Sequence, residues 1–409
     1  MSETPWNMAP PLAPDTFAAI RRRTIFDCCK WDPQVGDVSI LHDAPIVLDE
    51  PTWLTLSSLA SQLADEAAAA ERELIGRPDL QRRLGIPWAI RRALDGAGNG
   101  HAPPALARVI RFDFHLTPAG WCISEANTDV PGGYIEASGF TRMVAEHYPG
   151  CAPCGDPAGA LADALAGGTP DGGLVGLVHA TAYTDDRQVM EYLAGHLEAR
   201  GRRTCLLAPD HLRWDDGTAR VTAPFSPDPV SALVRFFPGE WLPNLPRAAG
   251  WSHFFARTQV CLCNPGAALL TQSKRFPLVW DSLRTPVNTW RRLLPETLDP
   301  REVRWDTDGE WVLKPAFGRV GEDIGMKGVT EQKEWRRIVR SVRLRPRHWV
   351  AQRRFEAVPL PTADGACYAC VGVYTVDGKA AGAYGRFAQR PLIDGQARDA
   401  AVLVRRKSP

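Results

Sequence analysis

The sequence predicts a mixed α/β (α+β) protein in which one parallel β-α-β unit sits between antiparallel hairpins. Three stretches carry this expectation. LVGLVHA (174–180), a helical run opening at Thr184-Asp185-Asp186, and TCLL (204–207) follow one another as strand, helix and strand, the order of a parallel unit with a right-handed crossover. RVIRFDFHLTPAGWCISEAN (108–127) alternates apolar and polar residues about a short turn. YACVGVYTV and KAAGAYGRF flank Asp377-Gly378, a dipeptide that two-residue hairpins prefer.

In chain order, Leu56, Leu59, Leu63 and Ala67 recur at helical spacing, and alanines 67–70 favour a helix over 52–75. GAGNGHAPPA (96–105) reads as a loop. The strand pair over 108–127 follows, and Pro131-Gly132-Gly133 breaks the chain after it. The Gly, Pro and Asp residues that end 155–173 mark a boundary. In the β-α-β unit Thr184 supplies a cap and acids fill the first helical turn. Val189, Leu193 and Leu197 form its apolar stripe, and Gly201 stops it. The strand-to-helix turn, HATAYTDD, lacks the glycine fingerprint of a dinucleotide site. Further on, EVRWD, the turn TDG and EWVLKP read as a hairpin, a helix fills 331–343, and the Asp377-Gly378 hairpin belongs to an antiparallel sheet. No internal repeat is evident.

At 44% hydrophobic and 23% charged residues the composition is that of an ordinary globular protein, and a net charge of +1 demands neither nucleic acid nor an anionic membrane as partner. The opening MSETPWNMAPPLAPD lacks a signal-peptide pattern, and no apolar run approaches the ~18–20 residues that span a bilayer. A cytoplasmic protein is expected. Ten cysteines include two C-x-x-C pairs, Cys151/Cys154 and Cys367/Cys370. They lie too far apart in sequence for a zinc ribbon, so ordinary reduced thiols are the first reading and a thiol or zinc site the alternative. Only seven of the 48 basic residues are lysines, so each compact ammonium stands out.

The early hairpin poses an electrostatic question. A three-residue loop over Pro118–Gly120 pairs Thr117 with Trp121, which sets Asp113 opposite Glu125 and Arg111 opposite Asn127. These four share one face, while Ile110, Phe112 and Phe114 take the core side. Like charges directly opposite destabilise a sheet. The pair is tolerable if one acid is protonated, if a cation lies between them, or if the register differs. Two carboxylates and an amide oxygen form a hard oxygen set suited to Mg²⁺; a solvated hairpin face with a loose ion pair is the plainer reading.

Downstream, WVLKPAFGRVGEDIG (311–325) runs a strand carrying Lys314 into a loop with Gly318, Gly321 and Gly325. Such a loop brings backbone N–H groups close to phosphates, although it is no P-loop and flexible surface hairpins look similar. Lys274 precedes an apolar run, and either lysine alone reads as a solvated charge. Gln352, in WVAQRRFE, offers an amide to an adenine edge or to solvent. Together these parts compose an ATP site: two lysines for phosphates, a Gly-rich flap and a carboxylate face for Mg²⁺.

The order R-x-D, hairpin, E-x-N, a lysine before a PL-x-W run, then LKP-x-x-G-R-x-G resembles the synthetase domain of the glutathionylspermidine synthase family. The likeness is carried by 111–133, 264–283, 311–325 and 349–361. It implies an ATP-grasp fold with its parts in rearranged order, plus a pre-ATP-grasp, Rossmann-like subdomain. Three regions follow: 1–165, helical with the metal-binding hairpin; 166–260, the β-α-β substrate subdomain; and 261–409, the nucleotide-binding region. The resemblance implies Mg²⁺ ligands at Asp113, Glu125 and Asn127, ATP contacts at Lys274, Lys314 and Gln352, and a lid from Gly318 to Gly321. It implies that Arg111 steadies an acyl phosphate and that Arg386 lies near the nucleotide phosphates. Arg319-Val320-Gly321 departs from the family's usual R-E-G. The expected activity is ATP-dependent amide formation between a peptide-like or amino acid carboxylate and a small amine. The alternatives are a nucleotide-binding scaffold without catalysis and a thiol or zinc protein.

Overall fold

A computed structural model describes residues 5–31, 34–35, 38–97, 102–222, 228–307, 309–318, 323–362 and 365–406. The architecture is mixed α/β, as the pattern of strands and helices predicts. A nine-stranded sheet runs in the order Trp6–Met8, Ile46–Leu48, Arg398–Arg405, Lys379–Ala388, Gly365–Val376, Val109–Thr117, Gly120–Asn127, with Leu360–Thr362 and Cys151–Pro153 attached at the side. The two long hairpins, far apart in sequence, are neighbours here: Asp113 pairs with Gly372 and Arg111 with Tyr374. Asp377 and Gly378 both adopt positive φ, 48° and 77°, as the tight turn requires.

Helix Glu50–Ile75 packs across this sheet. The Asp49 side chain caps it by accepting from Thr52 N at 2.7 Å, and Leu56, Ala60, Leu63, Ala67 and Leu74 are buried along one stripe. They meet Ile110, Phe112 and Phe114, the core side of the early hairpin. The expected loop over 96–105 begins where helix Trp88–Gly96 ends, and 98–101 lie outside the described residues.

The β-α-β unit forms as expected within a four-stranded parallel sheet, ordered Cys261–Cys263, Val230–Arg235, Leu174–Val178, Arg203–Leu207. Helix Thr184–Glu198 covers it, with Asp185 and Asp186 in the first turn. Thr184 is not its cap. The capping position falls on Tyr183, which makes no side-chain bond to the helix. A further helix, Pro157–Gly167, precedes the first parallel strand.

A third, antiparallel sheet joins Thr297–Leu298, Trp349–Arg353, Trp311–Pro315 and Gly325–Met326. Helix Gln332–Leu344 backs it, burying Ile338 and Val342 against Trp311, Leu313 and Trp349. EVRWD is not a strand. It lies in turns that bury Trp305, whose indole donates to Pro300 O at 2.9 Å, and the partners of WVLKP are 349–353 and 325–326. All ten cysteines are free, and among the described residues no group of three or more His, Cys, Asp or Glu is placed to hold a metal. Among the described residues no helix is long and apolar enough to cross a membrane.

Candidate functional site

The early hairpin pairs Asp113 with Glu125 and Arg111 with Asn127, the expected partners, by a different route. Its turn is a two-residue one, with Thr117 paired to Gly120 and Thr117 Oγ1 donating to Gly120 O at 2.7 Å. The extra residue enters farther along, as a bulge at Ser124 between the Asp113–Glu125 and Phe114–Ile123 pairs. Without that bulge, Ser124 would face Asp113 and Glu125 would turn towards the Phe112 side.

The opposed acids are held by cations of the chain itself. Arg111 grips Asp113 with two bonds, Nε to Oδ1 at 2.7 Å and Nη2 to Oδ2 at 3.0 Å. Its Nη1 donates to Gly132 O at 2.9 Å, and the guanidinium lies over the Tyr384 ring at 5.3 Å. Room for it comes from Gly372 on the next strand, where a Cβ would stand 2.9 Å from Arg111 Cδ. Asn127 Nδ2 donates to Asp113 Oδ2 at 3.3 Å. Across the hairpin Lys274 Nζ lies 3.2 Å from Glu125 Oε2 and donates to Gly318 O at 2.9 Å. Lys314, buried on its strand, donates to the Ser124 carbonyl at 3.0 Å. That carbonyl belongs to the bulge, so the disruption that re-aims Glu125 also presents an acceptor to Lys314.

Electrostatics follow from this crowding. Burial pushes the Lys314 ammonium down to about 8, with Glu125 opposing the shift and Lys274 adding to it. Burial works to raise the Glu125 carboxyl, but Lys274, Lys314 and Arg111 together hold it well below the usual range. Burial raises the Asp399 carboxyl, helped by nearby Glu136 and resisted by Arg386, Lys30 and Arg111.

Asp113, Glu125, Lys314, Gln352 and Arg386 line one narrow cleft, with a free volume of about 80 Å³, between the nine-stranded sheet and the small antiparallel sheet. Its apolar walls include Val312, Met326, Phe355 and Leu392. Lys274 lines an adjoining recess with Glu125 and Gln352. Gln352 is buried and donates from Nε2 to Thr297 Oγ1 at 3.2 Å, so its amide is held on the cleft wall and is not solvated. Arg386 donates to Asp394 O at 2.6 Å and lies 3.7 Å from Asp399. The structure therefore gathers Arg111, Asp113, Glu125, Asn127, Lys274, Lys314, Gln352, Arg386 and Gly318. Gly321, with the rest of the expected lid after Gly318, lies outside the described residues.

Sequence reasoning missed His115 and Ser124, which line the same cleft. His115 continues the alternation of Arg111 and Asp113 and was there to be found; Ser124 depends on the bulge. It also missed Lys30, whose ammonium sits 2.6 Å from the buried Glu136 carboxylate.

A family model described as "Glutathionylspermidine synthase preATP-grasp" matches residues 40–404. A search of curated protein sequences returns no match. Among solved structures, a glutathione synthetase like-effector from Globodera pallida, in apoform, aligns with a TM-score of 0.65 at 10% identity over 96% of this chain and 97% of that one. At that identity the likeness is one of fold. A putative gamma-glutamylcysteine synthetase from Methylobacillus flagellatus KT aligns with a TM-score of 0.43 at 12% identity, covering 79% of this chain and 85% of the other.

Proposed function

This chain belongs to the glutathionylspermidine synthase preATP-grasp family, and from that premise we propose that it is an ATP-dependent carboxylate–amine ligase. A substrate carboxylate attacks the γ-phosphorus of ATP, giving an acyl phosphate and ADP. An amine then attacks the acyl carbon, phosphate leaves, and an amide forms as the amine gives up a proton. Phosphorylation is needed because a bare carboxylate has no adequate leaving group. The protein's contribution is positioning and charge neutralisation.

The observation that carries this reading is the convergence of Lys274 and Lys314, from separate segments, on the bulge that aims Glu125 across from Asp113. In the proposal the two ammonium groups hold the nucleotide phosphates, and Gln352 meets the base edge. Arg111 neutralises charge on the acyl phosphate and on the tetrahedral state that follows. Its bidentate grip on Asp113 and its bond to Gly132 O hold the guanidinium still for that task. The donor set of Asp113, Glu125 and Asn127 is all oxygen and fits Mg²⁺, with the acids already brought face to face. Mg²⁺ bound there would supply Lewis-acid polarisation of the phosphoryl oxygens. The proposed partners are a small amine and a peptide-like or amino acid carboxylate.

The test is incubation with ATP, Mg²⁺ and pooled amino acids and polyamines, reading phosphate release and product mass. Release that requires both an acid and an amine is expected, and Asp113→Asn and Lys314→Ala should each reduce it at least ~10²-fold. Near-normal turnover in both variants overturns the site. Tight ATP binding with no release under any pairing favours a nucleotide-binding scaffold instead.

A further inference from the structure

One buried side chain in the cleft has no role in the mechanism above. His115 lies two residues along the strand from Asp113, on the same face and almost wholly buried. Its Nε2 stands 3.0 Å from Ser124 Oγ. The backbone of Ala369, on the neighbouring strand of the sheet, lies beside the ring. The Ser124 hydroxyl donates to Nε2 in one ring tautomer and accepts from it in the other, so the pair is bonded in both. The imidazole also lies against Phe355, with ring centroids 5.0 Å apart. Phe355 belongs to the segment that leaves the small sheet and lines the cleft wall, and three residues later Val358 N donates to Leu116 O at 2.7 Å.

We propose that His115 is a positioning residue that pins the Ser124 bulge, and so fixes the direction of Glu125 and the placement of the Ser124 carbonyl beneath Lys314. The inference rests on the proposed nucleotide–metal site and adds a residue to it.

A bulge is the weak point of a ladder, because its extra residue is unpaired and the register is free to slip. Here a slip by one residue would set Ser124 opposite Asp113 and send Glu125 to the apolar side. Two groups oppose the slip. Lys314 holds the Ser124 carbonyl, and His115 holds the Ser124 hydroxyl. His115 is in turn held by its strand in the sheet and by the Phe355 ring of the crossing segment. The bond between His115 and Ser124 is therefore to the carboxylate pair what an outer-shell partner is to a metal ligand, and its loss should cost affinity on that scale.

Three variants test this with a binding readout. Mn²⁺ is titrated by electron paramagnetic resonance against the full-length protein holding a non-hydrolysable ATP analogue. Ser124→Ala removes the hydroxyl, His115→Phe keeps the ring stack without the bond, and His115→Gln restores a polar group at the same reach. Ser124→Ala and His115→Phe should each weaken Mn²⁺ binding by ~10-fold or more, the range seen for outer-shell partners, and His115→Gln should recover most of it. Thermal midpoints are recorded alongside; if His115→Phe does not fold, Ser124→Ala alone decides. Unchanged affinity in Ser124→Ala, with Asp113→Asn losing it, overturns the positioning role and leaves the site intact. Unchanged affinity in Asp113→Asn as well overturns both.

Discussion

Replacing Lys314 with methionine should remove nucleotide binding without weakening the fold. Lys314 is buried on the strand Trp311–Pro315, and its ammonium falls from an ordinary 10.5 to about 8, chiefly through burial. The attraction of Glu125 is already inside that figure. A drop of this size means that the charged form costs about 3 kcal/mol in the folded chain relative to the unfolded one. At neutral pH the lysine is still mostly protonated, so the fold carries the cost. Methionine is close in volume and brings no charge. It leaves the Ser124 carbonyl without its donor, a loss of about 1–3 kcal/mol. The balance runs from neutral to a gain of about 2 kcal/mol.

The sign with pH is also set. A lysine whose folded value is depressed penalises the fold fully below that value, and the penalty fades as pH rises from about 8 towards 10.5. The advantage of Lys314→Met should thus be largest near pH 7 and shrink towards pH ~10. Thermal midpoints without nucleotide at the two pH values, with ATP binding measured by calorimetry, provide the assay. A loss of stability above ~1 kcal/mol at pH 7, or an advantage that does not shrink with pH, refutes the reasoning.

Other outcomes follow from the same geometry. Because the protonated Lys314 is the form that attracts phosphates, the KM for ATP should hold steady below pH ~8 and climb above it, and a KM that stays flat to pH ~10 counts against that role. Gly372→Ala puts a methyl 2.9 Å from Arg111 Cδ, so the guanidinium must move off its seat. Turnover should fall by roughly 10²-fold while ATP affinity stays near normal, and unaltered kcat counts against Arg111. Arg235 and Asp129 form a fully buried ion pair that ties the end of the early hairpin to the parallel sheet. Arg235→Met should cost about 3–5 kcal/mol in urea unfolding, and adding Asp129→Leu should return much of it.

Local chemistry explains which parts were legible in the sequence. Asp377-Gly378 announces its hairpin because few other dipeptides accept two positive φ values in a row. The β-α-β unit is legible because its helix and strands each carry their own period. The Ser124 bulge is not, since no residue type marks it. The expected pairing of Asp113 with Glu125 places the extra residue at the turn, at Gly120, whereas the structure has it four residues on at Ser124, in the middle of strand Gly120–Asn127, and both placements give the same partners beyond the bulge. EVRWD alternates like a strand, yet Trp305 is drawn into the small core instead, a tertiary preference that overrides local pattern. The pairing of Val109–Thr117 with Gly365–Val376 joins segments whose separation no local signal spans.

The like-charge question has an answer that sequence spacing alone does not contain. Each acid is met by cations of the chain, Arg111 closing on Asp113 and Lys274 and Lys314 flanking Glu125. Three cations thus face two carboxylates in a site largely shut off from water. Such a surplus repels a bare divalent ion and attracts a polyphosphate. In the proposed reaction, metal and nucleotide would therefore belong to one binding event: phosphates drawing Lys274 towards themselves would free Glu125 Oε2 for Mg²⁺, while Lys314 keeps the Ser124 carbonyl. Arg111 stays on Asp113, where two bonds and the Gly132 carbonyl hold it. The division of labour is then set by geometry, with the flexible Lys274 ammonium on the side that must rearrange and a rigid guanidinium on the side that must not.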